Sequence, residues 1–138
     1  MPGYSTRTLS DKLGIKSGTQ VIALGAPPTY RASLAPLPRG ATLQQRLSAN
    51  ARFIHCFVNS RKQLASDFTQ LAGALADDGA LWISWPKTSS GVDTDLTENV
   101  IRELGLPLGL VDVKVCAIDE VWSGLKFVRR LENRSKKP

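Results

Sequence analysis

Residues 53–58, FIHCFV, run on with scarcely a polar atom, the pattern of a central parallel strand covered on both faces. Ser60 caps the helix that follows, whose Leu64, Phe68, Leu71, Ala72 and Leu75 make an apolar stripe at helical spacing. Asp77-Asp78-Gly79 is the predicted end of that helix, with glycine where a left-handed backbone is favoured. Leu81, Trp82, Ile83 and Trp85 then form a second buried strand, halted by Pro86, which has no N–H to give a ladder. A polar loop, Lys87 to Thr94, leads to Asp95 as N-cap and Glu98 as the reciprocal partner of a capping box. Leu96, Val100, Ile101 and Leu104 recur at helical spacing beyond it.

The flanks are shorter pieces. Residues 1–7 read as a loose arm, and Leu9, Leu13 and Ile15 as a short helix capped by Ser5 or Thr8 and ended by Gly14. Gln20–Leu24 is the first strand, ended by Gly25, and Tyr30–Ala35 is at most a turn or two of helix closed by Pro36 and Pro38. Thr42–Gln45 is expected as a short edge strand and Arg46–Asn50 as a helical turn. After a Pro/Gly break at Leu106–Gly109, Val111–Ile118 alternates: Val111, Val113, Val115 and Ala117 take one face, and Asp112, Lys114, Cys116 and Ile118 the other. Leu125–Val128 is the last strand, joined to it through a hairpin loop over residues 119–124. Alternating strand and helix ending in a hairpin predicts a mostly parallel α/β sheet with one antiparallel strand.

At 138 residues the chain has room for one domain with its own core, expected over residues 1–134 with a basic tail at 135–138. Of the net charge of +6, residues 129–138 carry +4, so the basicity is expected in the C-terminal segment rather than on a face of the domain. Such a tail tracks phosphates or simply frays in solvent; nucleic acid is the less expected partner. Cys56 and Cys116 lie in strand-like segments, expected as buried free thiols, without a second ligand at metal spacing. No charged-then-apolar leader and no membrane-length apolar run is present, so the expectation is a soluble, cytoplasmic protein without membrane contact.

The order of elements resembles the C-terminal half of the S-adenosylmethionine-dependent methyltransferase fold, and KLGIKSGTQVIALGA (12–26) is similar to that fold's opening helix, turn and strand. More specifically, SWPKTSSGVDTDLTE (84–98), GLVDVKVCAIDE (109–120) and WSGLKFVRR (122–130) are similar to a family of short bacterial proteins classed as a domain of unknown function. The resemblance implies a Rossmann-like sheet flanked by helices and brings no activity with it. It also implies a glycine-rich turn after the first strand and an acid at the end of the second. Here the turn is Gly25-Ala26-Pro27-Pro28, and Leu43-Gln44-Gln45 offers no carboxylate. Too little chain separates that point from Phe53 for the usual helix, strand and helix, so one strand is expected to be missing and the cofactor pocket degraded.

In this topology the loops at 25–29, 59–61, 86–94 and 119–123 meet at one sheet edge. Lys87, Ser89, Ser90, Asp93, Thr94, Asp119, Glu120, Trp122 and Ser123 become neighbours there. A lysine beside hydroxyls suits a phosphate or carboxylate, and Trp122 suits a planar ligand. The same residues have a structural reading: Asp93 and Asp95 cap, Lys87 pairs with Asp119 or Glu120, and Trp122 plugs the sheet end. The sole histidine, His55, sits mid-strand, which suits a hydrogen-bonded core residue better than a catalytic base. No catalytic residue or cofactor is assigned. The expected role is a non-catalytic Rossmann-like domain binding a small anionic ligand or a protein partner. The alternatives are a divergent S-adenosylmethionine-dependent methyltransferase and a nucleic-acid accessory protein using the basic tail.

Overall fold

Strand formation follows the apolar runs, and the resulting sheet has six members in the computed structural model, which describes residues 8–133. In chain order they are β1 (Gln20–Leu24), β2 (Thr42–Gln44), β3 (Ala51–Phe57), β4 (Leu75–Pro86), β5 (Leu110–Ala117) and β6 (Trp122–Arg129). They lie side by side as β2-β1-β3-β4-β6-β5. The first four are mutually parallel; β6 runs antiparallel to both β4 and β5, so β5 rejoins the parallel direction. This is the expected methyltransferase-like, Rossmann-like α/β sheet with its terminal hairpin. The missing strand is also as expected: only residues 45–50 connect β2 to β3, roughly 20 Å of extended chain.

The alternation of β3 explains why its sequence carries no polar face. Phe53, His55 and Phe57 point to one side with Val21, Ala23 and Trp82, under the short helices α1 (Leu9–Leu13) and α2 (Tyr30–Leu34). Ile54 and Cys56 point to the other with Ile22, Leu81 and Ile83, under α3 (Arg61–Ala74) and α4 (Glu98–Gly105). Both faces are thus closed, and burial pushes the Cys56 thiol up to about 12. The caps of α1 and α3 match expectation: Thr8 Oγ1 accepts from Asp11 N–H at 3.1 Å, and Ser60 Oγ from Gln63 N–H at 3.1 Å. Gly14 closes α1 with φ 82°. The predicted arm 1–7, the alternative cap Ser5 and the tail 135–138 lie outside the described residues. Among the described residues no helix is long and apolar enough to cross a membrane.

Several local expectations are corrected by tertiary partners. Helix α3 ends at Ala74, and Leu75 already belongs to β4, pairing with Ala51 before a register shift. Gly79 is therefore not a left-handed helix end; it lies in the irregular start of β4, where an added Cβ would stand 2.9 Å from the Ala51 carbonyl oxygen. Arg46–Asn50 forms bends and a turn rather than a helical turn, with Leu47 packed against the core. Asp95 is not the cap of α4. Its carboxylate accepts from Arg61 N–H at 2.7 Å, at the start of α3, and Thr97 caps α4 by accepting from Val100 N–H at 3.2 Å. Glu98 instead pairs with Arg102, which also holds Asp112 at 2.9 Å.

A bulge between Asp112 and Lys114 upsets the predicted faces of β5. Asp112 reaches α4, whereas Lys114 donates to the Lys12 carbonyl oxygen at the end of α1, 2.8 Å away. The exposed residues are Val113, Val115 and Ala117, and Cys116 is only half-buried. The basic segment also divides. Arg129 belongs to the domain: its guanidinium donates to the carbonyl oxygens of Ala72 and Leu75 at 2.7 and 2.6 Å, capping the end of α3. Arg134, Lys136 and Lys137 lie outside the described residues.

Candidate functional site

Of the loops predicted to meet at the C-terminal edge of the sheet, those at 59–61, 86–94 and 119–123 are in contact. Lys87 N–H donates to the Val121 carbonyl oxygen at 2.7 Å, and Thr94 Oγ1 donates to the Asn59 carbonyl oxygen at 2.7 Å. Three of the polar side chains there, Ser90, Thr94 and Asp119, are engaged in shaping the loops themselves. Ser90 Oγ donates to the Lys87 carbonyl oxygen at 2.6 Å and accepts from Val92 N–H, closing the 3-10 turn Thr88–Ser90. Thr94 Oγ1 accepts from Leu96 N–H at 3.1 Å. One oxygen of Asp119 accepts from both Val121 and Trp122 N–H at 2.8 Å, the pattern of an Asx turn.

Trp122 and Ser123 are strand residues, not loop residues, opposite Pro86 and Trp85; the hairpin loop is shorter than expected because β6 starts at Trp122. The half-buried Trp122 ring meets Phe57 edge to face at 5.1 Å. Lys87, Ser89, Asp93 and Glu120 remain at the surface in this edge. Among the described residues Lys87 has no carboxylate within 4.0 Å, so its expected pairing with Asp119 or Glu120 is not made. Trp122→Ala is expected to lower stability by about 2 kcal/mol through lost ring packing, measured as a shift in the urea midpoint. A loss below about 0.5 kcal/mol, the level of an ordinary surface substitution, would return Trp122 to the role of a free stacking surface.

An opening suited to a small molecule lies beside this edge, not in it. A cleft of about 850 Å³ sits beyond the carboxyl ends of β1 and β2, between the turn after β1 and the residues that follow β2. Its wall is Gly25-Ala26-Pro27-Pro28 on one side and Leu43-Gln44-Gln45-Arg46 on the other, with Tyr30 and Arg31 of α2 completing it. The volume falls within the range of small-molecule sites. The chain creates the space by omission: with only residues 45–50 between β2 and β3, no further strand among the described residues flanks β2. Gly25 turns away from β1 at φ 69°, and a Cβ there would stand 2.8 Å from the Phe57 carbonyl oxygen, so glycine is required for β1 to leave the sheet beside β3.

Below the cleft runs a buried polar chain. Tyr30, which lines the cleft from its inner side, bonds through its hydroxyl to His55 Nδ1 at 2.7 Å, and His55 Nε2 bonds to Ser84 Oγ at 2.6 Å. The imidazole stacks on Phe57 at 4.1 Å and meets Tyr30 edge-on at 5.1 Å. Complete burial lowers the His55 pKa to about 3, and burial raises that of Tyr30. Both are therefore neutral near pH 7. His55 is a satisfied core residue, as its mid-strand position predicts, and it ties α2 to β3 and β4.

The fold implies S-adenosylmethionine for this cleft, and the residues do not fit its usual recognition. Pro27 and Pro28 present no N–H, and the one glycine of the turn is closed off by β3 backbone. At the end of β2 stand Gln44, Gln45 and Arg46, where a carboxylate would grip ribose hydroxyls. The missing acid is legible in the sequence, whereas Arg31 and Arg46 come together only in the fold. The legible signal was an arginine directly after the second strand, a base where an acid is expected.

No family model matches the chain, and no curated protein matches it. Solved structures do. A putative type 11 methyltransferase from Sulfolobus solfataricus is 12% identical, with a TM-score of 0.57 over 94% of this chain and 92% of that one. Magnesium protoporphyrin IX methyltransferase (ChlM) from Synechocystis PCC 6803, solved with bound S-adenosylmethionine, is 13% identical, with a TM-score of 0.58 over 88% of this chain and 74% of that one. LepI in complex with S-adenosylmethionine is 16% identical at a TM-score of 0.53; the chain spans only 39% of its length. Likeness at these identities shows the fold: a Rossmann-like domain of the S-adenosylmethionine-dependent methyltransferase type, one strand short.

Proposed function

We propose that the chain is a binding domain that keeps the methyltransferase fold and holds a small molecule in the cleft beyond β1 and β2. One observation carries this reading: the opening of about 850 Å³ lies over the carboxyl ends of adjacent parallel strands, where open α/β sheets bind ligands. The polar turn chemistry at 87–94 and 119–122 gives the neighbouring edge a structural task, which favours the cleft over that edge as the ligand site. Isothermal titration calorimetry with adenosine and S-adenosylhomocysteine is the first test, on the wild type and on Gln44→Trp. Gln44 is exposed at the end of an edge strand, so the indole fills the cleft without entering the core. Binding by the wild type that the variant lacks is the expected result. Equal binding by both proteins sinks the assignment of the site.

The likeness to methyltransferases favours a second reading, a divergent S-adenosylmethionine-dependent enzyme with a rearranged pocket. Fold likeness supports this reading more directly than it supports a non-catalytic one; the residues of the cleft support the first. Conversion of S-adenosylmethionine to S-adenosylhomocysteine when the pure protein is mixed with a small-molecule extract would decide for the enzyme. No carboxylate lines the cleft to act as a base, and His55 is sealed from it.

A further inference from the structure

The cleft departs from the chemistry that the fold implies chiefly in charge, and that difference names a ligand class. Arg31 and Arg46 are the charged residues of its lining, accompanied by the amides of Gln44 and Gln45 and by no acid. Both arginines are exposed, and among the described residues neither guanidinium has a carboxylate within 4.0 Å. Two unpaired guanidinium groups at the rim of a concave site leave rigid donor forks facing solvent, a geometry matched to phosphate oxygens. Pro27 and Leu43 supply apolar wall, suited to the face of a planar ring. In Rossmann-type sheets the end of the second strand meets the ribose edge; an acid there reads free hydroxyls, whereas an arginine accommodates a phosphate ester on them. Gln45 and Arg46 occupy that place, directly beyond β2.

Resting on the reading of the cleft as a ligand site, we infer that its ligand is a nucleoside carrying a phosphate on the 2′ or 3′ ribose hydroxyl, with Arg46 and Arg31 on the phosphate and the apolar wall against the base. This departs from the adenosyl sulfonium that the fold implies, since two guanidinium groups repel a cation and attract a dianion. Nothing in it requires a chemical step.

The test is calorimetric titration of adenosine, adenosine 2′-phosphate, adenosine 3′-phosphate and inorganic phosphate into wild type, Arg46→Gln and Arg31→Gln. Both variants are exposed changes that leave the core untouched. At least one nucleotide is expected to bind roughly tenfold or more tightly than adenosine, the effect of one charged hydrogen-bonding group. That advantage should shrink as salt rises and vanish in Arg46→Gln. If adenosine binds as tightly as both nucleotides, the inference fails while the cleft remains a nucleoside site. A preference that survives in both arginine variants overturns it too, because the phosphate is then held elsewhere. Inorganic phosphate matching the nucleotides overturns the nucleoside part. If none of the four probes binds, the proposed cleft site falls and takes the inference with it.

Discussion

Between pH 7 and pH 5 the protein is expected to lose about 2 kcal/mol of stability through a single side chain, His55. It is the only histidine of the chain. Burial holds its folded-state pKa down to about 3, whereas the unfolded chain protonates near the ordinary value of about 6.5. Below that value the unfolded state carries a proton that the folded state refuses, so unfolding is favoured by about 1.4 kcal/mol for each further pH unit. The stability is fully present above about 6.5 and drains away as pH falls toward about 3. Ordinary carboxylates titrate near 4, which leaves the interval from 6.5 to 5 to the histidine.

Urea unfolding at half-unit pH steps measures the slope. His55→Gln, which keeps polar atoms opposite Tyr30 and Ser84, should start less stable and show almost no slope in that interval. A wild-type midpoint that stays flat from pH 7 to pH 5 would mean that His55 protonates inside the fold. The same slope in the variant would assign it to other groups.

The second large effect is at Trp82. Its side chain is fully buried opposite His55 in the neighbouring strand, and its indole N–H donates to the Leu13 carbonyl oxygen at 3.0 Å. That bond joins β4 to the end of α1 and fixes the short helix over the sheet. Truncation to alanine removes a bicyclic ring from a closed core, which costs about 3–5 kcal/mol. Against a typical total of about 5–15 kcal/mol that is a large share, so Trp82→Ala should unfold at a markedly lower denaturant concentration than the wild type. Trp82→Phe keeps most of the apolar volume and loses the hydrogen bond, so it is expected to fall between, at about 1–3 kcal/mol. Guanidinium unfolding followed by far-UV circular dichroism orders the three proteins. A cost below about 1 kcal/mol for Trp82→Ala would show that α1 is not held through this ring.

Both effects arise on the face of the sheet beneath α1 and α2, and they bear on the cleft. Tyr30 forms its inner wall while bonding to His55, and His55 bonds to Ser84 on β4. The cleft therefore rests on the same buried polar chain that makes the protein acid-sensitive. Its rim, with Arg31 and Arg46, stands clear of that chain and is exposed. Substitutions for testing ligands belong on the rim, because changes below it would alter folding and binding together.

What was legible in the chain follows from how far each signal reaches. The two-sided apolar run of β3, the stripe of α3 and the Pro/Gly punctuation are local, and they recovered the strands, the helices and the hairpin. The shortage of residues between β2 and β3 likewise revealed the absent strand, because chain length bounds reach. Of the candidate edge, the convergence of its loops was legible from the direction of the parallel strands. The occupation of its polar groups was not. Whether Ser90, Thr94 and Asp119 face a ligand or their own backbone depends on loop conformation, which hydroxyl and carboxylate content does not specify.

By itself, then, the sequence determined the α/β class, the element order and the core placement of its one histidine, since periodicity acts over a few residues. Tertiary structure decided the rest. Asp95 serves α3 rather than the helix it precedes, because Arg61 N–H lies within reach only after the chain folds back. The bulge in β5 sends Asp112 and Lys114 to opposite faces because pairing with β6 shifts register there. The cleft is a void bounded by segments after two different strands, one of which lost its outer neighbour. A void has no residue of its own, so it comes into being only when those segments are placed in space.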